Sequence, residues 1–73
     1  MKIQQKINNN FIKLDQLLKL VGIAQTGGQA KIIISDEDVY LNGEICKIKG
    51  KKIHNKDVVS YKDYFIEVIA NGE

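Results

Sequence analysis

Apolar residues fall at Leu14, Leu17, Leu18 and Val21, a spacing that places them on one face of a short helix. Gly22 stands where that helix stops, since glycine enters the left-handed conformation of a helix end without steric cost. A second helical pattern begins at Thr26. Thr26 and Gln29 have the capping-box spacing, in which each side chain satisfies a free backbone amide at the helix start. Ala30, Ile33 and Ile34 then supply an apolar face, and a connection of about four residues predicts that the two helices pack as a hairpin.

From Asp38 onward the apolar period is two. Val39-Tyr40-Leu41 and Glu44-Ile45-Cys46 flank Asn42-Gly43, which predicts a tight hairpin with positive φ at both turn residues. Gly50 and the cluster His54-Asn55-Lys56-Asp57 predict further turns. Val58 to Tyr61 and Phe65 to Ile69 form a second hairpin through Lys62 and Asp63. Upstream, Lys2 to Ile7 alternates weakly, as an edge strand would, and ends at Asn8, Asn9 and Asn10. Strand, two helices, then several strands is the order of a small α+β domain.

The 73 residues fit one domain, expected over 1–73. A chain of this size buries only about 60% of its unfolded surface, so the core is small. No apolar run approaches the roughly 20 residues of a membrane span. Met1 to Asn10 lacks the basic and then apolar layout of a secretory signal, and a cytoplasmic protein is expected. A lone Cys46 has no internal disulfide partner and reads as a small core hydrophobe. One cysteine and one histidine do not make a four-ligand zinc site, and neither metal nor cofactor is expected.

Net charge is only +2, but it is unevenly placed. Between Ile45 and Lys62 stand Lys47, Lys49, Lys51, Lys52, Lys56 and Lys62 against a single acid, Asp57. That stretch carries +5 and the remainder −3, which points to a local contact with a polyanion as much as to a solvated face.

The segments KLDQLLKLVGIAQTGGQAK and VYLNGEICK resemble the RNA-binding domain first known in ribosomal small-subunit protein four. Lys13-Leu14-Asp15, Leu17-Leu18, Thr26, Ala30-Lys31, Ile34, Val39 and Leu41-Asn42-Gly43 fill the places of that family's pattern in order. Gly50-Lys51-Lys52-Ile53 and Asp57-Val58-Val59 match its later basic stretch, so the likeness covers about residues 11–61. Thr26-Gly27-Gly28-Gln29-Ala30-Lys31 is closest to the small stand-alone YaaA-like and YbcJ-like bacterial members. The resemblance implies two short helices packed against a small, mainly antiparallel sheet, the alpha-L RNA-binding motif. It also implies a non-catalytic partner of structured RNA, ribosomal RNA or an assembling ribosomal subunit. No membrane partner is expected, and the oligomeric state is open, with a monomer favoured. Where many members have Arg this chain has Gly27, where many have Gly it has Asp38, and Lys56 precedes Asp57 where Gly is common. The first change removes one phosphate contact.

The expected site joins Thr26, Gly27, Gly28 and Gln29, whose amides would face an anion at a helix start, with Lys31 in the same helix. Glycine there keeps side chains from holding a phosphate away. Without the resemblance, Gly27-Gly28 reads as a flexible turn. Lys47, Lys49 and Lys51 alternate and would share one face of a regular strand. Lys52 would point elsewhere unless Gly50 inserts a turn, and Lys13 occupies a basic place of the family pattern. The sequence has no arginine, so planar two-pronged readout of guanine is closed to it. Tyr40, Tyr61 and Tyr64 read first as packing residues and second as base-stacking ones.

Two other functions compete with RNA binding. A protein-interaction adaptor could keep the fold without the RNA site, with Gly27 as its best argument. A small cation-dependent hydrolase could use Asp36, Glu37, Asp38 and His54, but these acids read better as a solvated helix end, opposing the helix dipole. No enzyme activity is expected.

Overall fold

In the computed structural model, which describes residues 1–70, the chain runs β1 (Lys2–Ile7), β2 (Phe11–Lys13), α1 (Leu14–Leu20), α2 (Gly27–Asp36), β3 (Tyr40–Leu41), β4 (Glu44–Ile45), β5 (Lys52–His54), β6 (Val58–Tyr61) and β7 (Tyr64–Ala70). The last part of the expected 1–73 domain, residues 71–73, lies outside the described residues. Five strands form one sheet in the order β1-β7-β6-β3-β4, and β2 pairs with β5 in a separate ribbon. Only β1 with β7 is parallel; the other pairs are antiparallel. Two packed helices against a mainly antiparallel sheet is the architecture expected from the sequence.

Periodicity placed the core correctly. Leu14, Leu17 and Leu18 of α1 are fully buried and meet Ala30, Ile33 and Ile34 of α2. Ile53, Val59, Ile66 and Val68 close the same cluster from the strands. Cys46 is buried among them as a small hydrophobe. The end of α1 is closed by Gly22 at φ +86°, whose N–H donates to the Lys19 carbonyl, while Ala24 N–H donates to Leu18. At the start of α2, Thr26 Oγ1 accepts from Gln29 N–H at 3.1 Å as a capping box requires. The return arm differs from expectation: Gln29 Oε1 accepts from the amide of Gln25, not of Thr26, and so ties down the inter-helix loop.

Asn42-Gly43 forms the expected turn, with φ of +52° and +87°. Asn42 does more than turn the chain. Its Oδ1 accepts from Val58 N–H at 2.9 Å, its Nδ2 donates to Asp57 Oδ1 at 3.1 Å, and its own N–H donates to the Val58 carbonyl at 2.8 Å. One side chain therefore pins the β3–β4 hairpin to the start of β6. Replacing Asn42 with Ala deletes both side-chain bonds and puts an unfavourable residue at positive φ. Urea unfolding should show a loss of about 2–3 kcal/mol; a loss below about 0.5 kcal/mol, the scale of an ordinary surface change, would show that the clasp is incidental.

Candidate nucleic-acid interface

The amides of Gly27 and Gly28 at the start of α2 make no hydrogen bond among the described residues, whereas the next two, Gln29 and Ala30, donate to Thr26. Neither glycine is required by the fold. A Cβ at Gly27 would meet nothing within 4 Å, one at Gly28 only Thr26 Oγ1 at 3.9 Å, and neither has positive φ. Two glycines in a helix cost about 1 kcal/mol each relative to alanine. The first amides of any helix lack intrahelical partners; without a Cβ beside them, those of Gly27 and Gly28 are open to an anion at the positive end of the helix dipole.

Lys31 lies one turn further on, and helical side chains lean toward the N-terminus. Its side chain acts on that of Lys49. The hydrogen-bonding reach and like charge of Lys31 hold Lys49 below the ordinary lysine range, with Asp15 opposing. Lys31 and Lys49 make no ion pair with a carboxylate among the described residues. Two exposed cations facing each other are a preformed place for a phosphate.

The expectation that Lys47, Lys49 and Lys51 share one strand face is overturned. The chain leaves β4 after Ile45 and does not resume a strand until Lys52; residues 46–51 form a loop with a turn at Lys49-Gly50. The reason lies in its backbone. Cys46 N–H donates to Val39, Lys51 N–H turns back to the Ile48 carbonyl, and the carbonyls of Lys49 and Lys51 accept from Asp15 and Leu14 at the start of α1. The loop is shaped by what it caps.

Lys47 is drawn away from the others. Its ammonium donates to the Glu37 carbonyl at 2.8 Å and lies 4.0 Å from Asp38. Lys62 is 3.6 Å from Glu37, and Tyr61 Oη donates to the same carboxylate at 2.7 Å. The acids that oppose the α2 dipole are thus answered by two lysines and a phenol, which accounts for their presence. Asp36, Glu37 and Asp38 do not converge with His54, and no group of three metal-ligating side chains gathers among the described residues.

Lys13 and Lys52 do come together, directly opposite in the β2–β5 pair, and Phe11 stands opposite His54. The Lys52 ammonium lies 4.8 Å from the centre of the Phe11 ring, and the His54 ring 6.1 Å away, tilted by 51°. Gly50 supplies the turn that lets Lys52 join the basic surface. Phe11 and His54 were missed in the sequence because a three-residue strand is too short to show a period. Of the expected residues, Thr26, Gly27, Gly28, Gln29, Lys31 and Lys49 form one end of a basic ribbon, Lys51 its middle, and Lys13 with Lys52 the other end; Lys47 stands apart. Among the tyrosines, Tyr61 packs in the core.

A family model described as S4 domain matches residues 5–69. A Bacillus subtilis (strain 168) protein named "Probable ribosome maturation protein RlbA" is 36% identical over 58 residues, covering 80% of this chain and 82% of that protein. YbcJ of Escherichia coli (strain K12) is 36% identical over 59 residues, covering 81% and 84%. The solution structure of YbcJ, described as revealing an alfaL motif involved in RNA-binding, superposes with a TM-score of 0.65 at 30% identity, over 94% of this chain and 86% of that one.

Two measurements probe this electrostatic layout. Lys31→Gln should return Lys49 toward the ordinary lysine value in an NMR titration of its ε-carbon, whereas an unmoved titration would show that the ammoniums do not meet. At the other end of α2, the hydrogen bond to Glu37 foremost, with burial, holds the Tyr61 phenol above its ordinary 10.0, against the opposing effect of Lys62. A raised folded value means that this contact stabilises in full below pH 10.0 and is lost as pH rises through the raised value. Tyr61→Phe should cost about 1 kcal/mol at neutral pH and flatten that part of the alkaline decline in chemical denaturation.

Proposed function

Because the chain belongs to the S4 domain family, we propose that it is a non-catalytic module that binds structured RNA through the basic ribbon running from the start of α2 to the β2–β5 pair. The observation that carries this reading is the pair of unpartnered amides of Gly27 and Gly28 in open space at the start of α2, with Lys31 in the next turn of the same helix. A phosphate placed there would accept from the amides and separate the like charges of Lys31 and Lys49. A second phosphate would fall to Lys13, Lys51 and Lys52 further along. Such contacts position an RNA backbone without reading its bases, so selectivity comes from RNA shape. The name of the Bacillus relative favours ribosomal RNA or an assembling subunit as the target, and the described motif of YbcJ favours RNA; a monomer acting in the cytoplasm completes the proposal.

A second reading, a protein-interaction adaptor, has its own observation. Ile32, Ile45 and Ile48 are more than half exposed. Salt separates the two, because lysine–phosphate contacts weaken steeply with ionic strength and apolar ones do not.

Fluorescence anisotropy of labelled, folded ribosomal RNA fragments across a salt series tests the proposal, with DNA duplex as control. The wild type should bind RNA preferentially and with a steep salt slope. Lys31→Gln with Lys49→Gln should lower the log–log slope by about 0.8, the share of one phosphate, while Lys6→Gln on the far face of the sheet leaves it unchanged. Equal, weak binding to RNA and DNA would sink the proposal. Gly27→Arg, for which there is open space, should restore the contact common in the family and raise the slope by about 0.9.

A further inference from the structure

The outer face of the β2–β5 ribbon extends beyond the phosphate contacts, and we propose that it is a subsite for an unpaired nucleotide of the RNA, whose base stacks on Phe11. This rests on the RNA-binding reading above and adds that the bound RNA carries a single-stranded segment beside its folded part.

Strand alternation divides the ribbon cleanly. Ile12 and Ile53 are opposite each other and turn inward, Ile53 fully buried and Ile12 packed against the core. Phe11, Lys13, Lys52 and His54 therefore share the outer face. Phe11 is partly buried but is not among the residues packed against the core, and its ring is covered by the Lys52 ammonium and the His54 ring. Around it are groups that suit a nucleotide: one tilted imidazole and two ammoniums.

The two lysines strengthen the case. Like charges directly opposite on paired strands destabilise a sheet. Lys13 and Lys52 hold that arrangement with no ion pair to a carboxylate among the described residues. Lys52 leans instead over the Phe11 ring. Asp57 is engaged elsewhere, accepting from the His54 amide and from Asn42 and lying 3.9 Å from the His54 ring. An exposed cation–π contact is weaker than the stacking of a base on an aromatic ring. An incoming base can displace the Lys52 ammonium, which then meets Lys13 across the nucleotide's phosphate and relieves their repulsion.

Continuity fixes the direction. Leu14 N–H to Lys51 and Asp15 N–H to Lys49 tie the start of α1, directly after β2, to the loop that carries Lys49 and Lys51. A backbone leaving the α2 site along these lysines arrives at Phe11. There it must offer the face of a base, which only an unpaired nucleotide or a strand end can do.

The test compares one RNA hairpin with a blunt stem against the same hairpin carrying a short purine overhang that contains a fluorescent adenine analogue. The overhang should tighten binding by about tenfold, the scale of one stacked base, and the analogue should be quenched on binding. Phe11→Leu should lose both the gain and the quenching while binding the blunt hairpin as before, and Phe11→Tyr should keep both. An overhang that gives no gain, or a gain that survives Phe11→Leu, overturns the subsite and leaves the phosphate site standing. Equal weakening of both hairpins by Phe11→Leu also overturns it, as the mark of a merely structural residue. Failure of the wild type to bind either hairpin would overturn the RNA reading and this one together.

Discussion

A helix of seven residues has few amides that it can satisfy itself, and α1 begins at Lys13 with no side-chain cap. Its first two amides are taken by carbonyls from a distant loop: Leu14 donates to Lys51 at 2.9 Å and Asp15 to Lys49 at 3.0 Å. These bonds do two things at once. They let α1 start immediately after β2, burying Leu14, Leu17 and Leu18 without exposing orphan donors to the core. They also fix the loop between β4 and β5, so its lysines stand at set positions while their carbonyls face the protein. The cap of a helix is here the frame of the basic surface.

The two ends of α2 complete the electrostatic pattern. Its C-terminal acids are answered by Lys47 and Lys62, and those lysines are thereby withdrawn from any partner. Among the described residues, the amides of Gly27 and Gly28 and the Lys31 ammonium have no such partner. A net charge of +2 conceals this division. The attraction for a polyanion is set by which cations remain uncompensated, and Lys13, Lys31, Lys49, Lys51 and Lys52 are among them.

Much of this was legible in the chain. The leucine spacing, the Thr26 cap and Asn42-Gly43 each act locally, through side chains within a few residues, and each appeared where the sequence placed it. The second hairpin also appeared, lengthened by Tyr64 and Ala70. What local pattern could not show was the loop of residues 46–51. Alternating lysines look like a strand, but the demand of α1 for acceptors, more than thirty residues away in sequence, bends that stretch into a turn. The same distance hid the role of Lys47, which depends on the end of α2, and the pairing of Phe11 with His54. Gly27 and Gly28 were ambiguous for another reason. Only the open space around them shows that no turn or close packing called for glycine.

The parallel pairing of β1 with β7 sets residue 2 against residue 65 and residue 7 against residue 70. A chain emerging from a ribosome makes β1 first and its partner last. Until β7 arrives, β1 has no neighbour, and Ile66 and Val68 are missing from the core. The helices and the Asn42-Gly43 hairpin depend on nearby residues and can form early, whereas sheet closure waits for the contact of longest sequence separation. Closure of the sheet therefore waits for the synthesis of β7, and β1 is an unpaired strand edge in the interval.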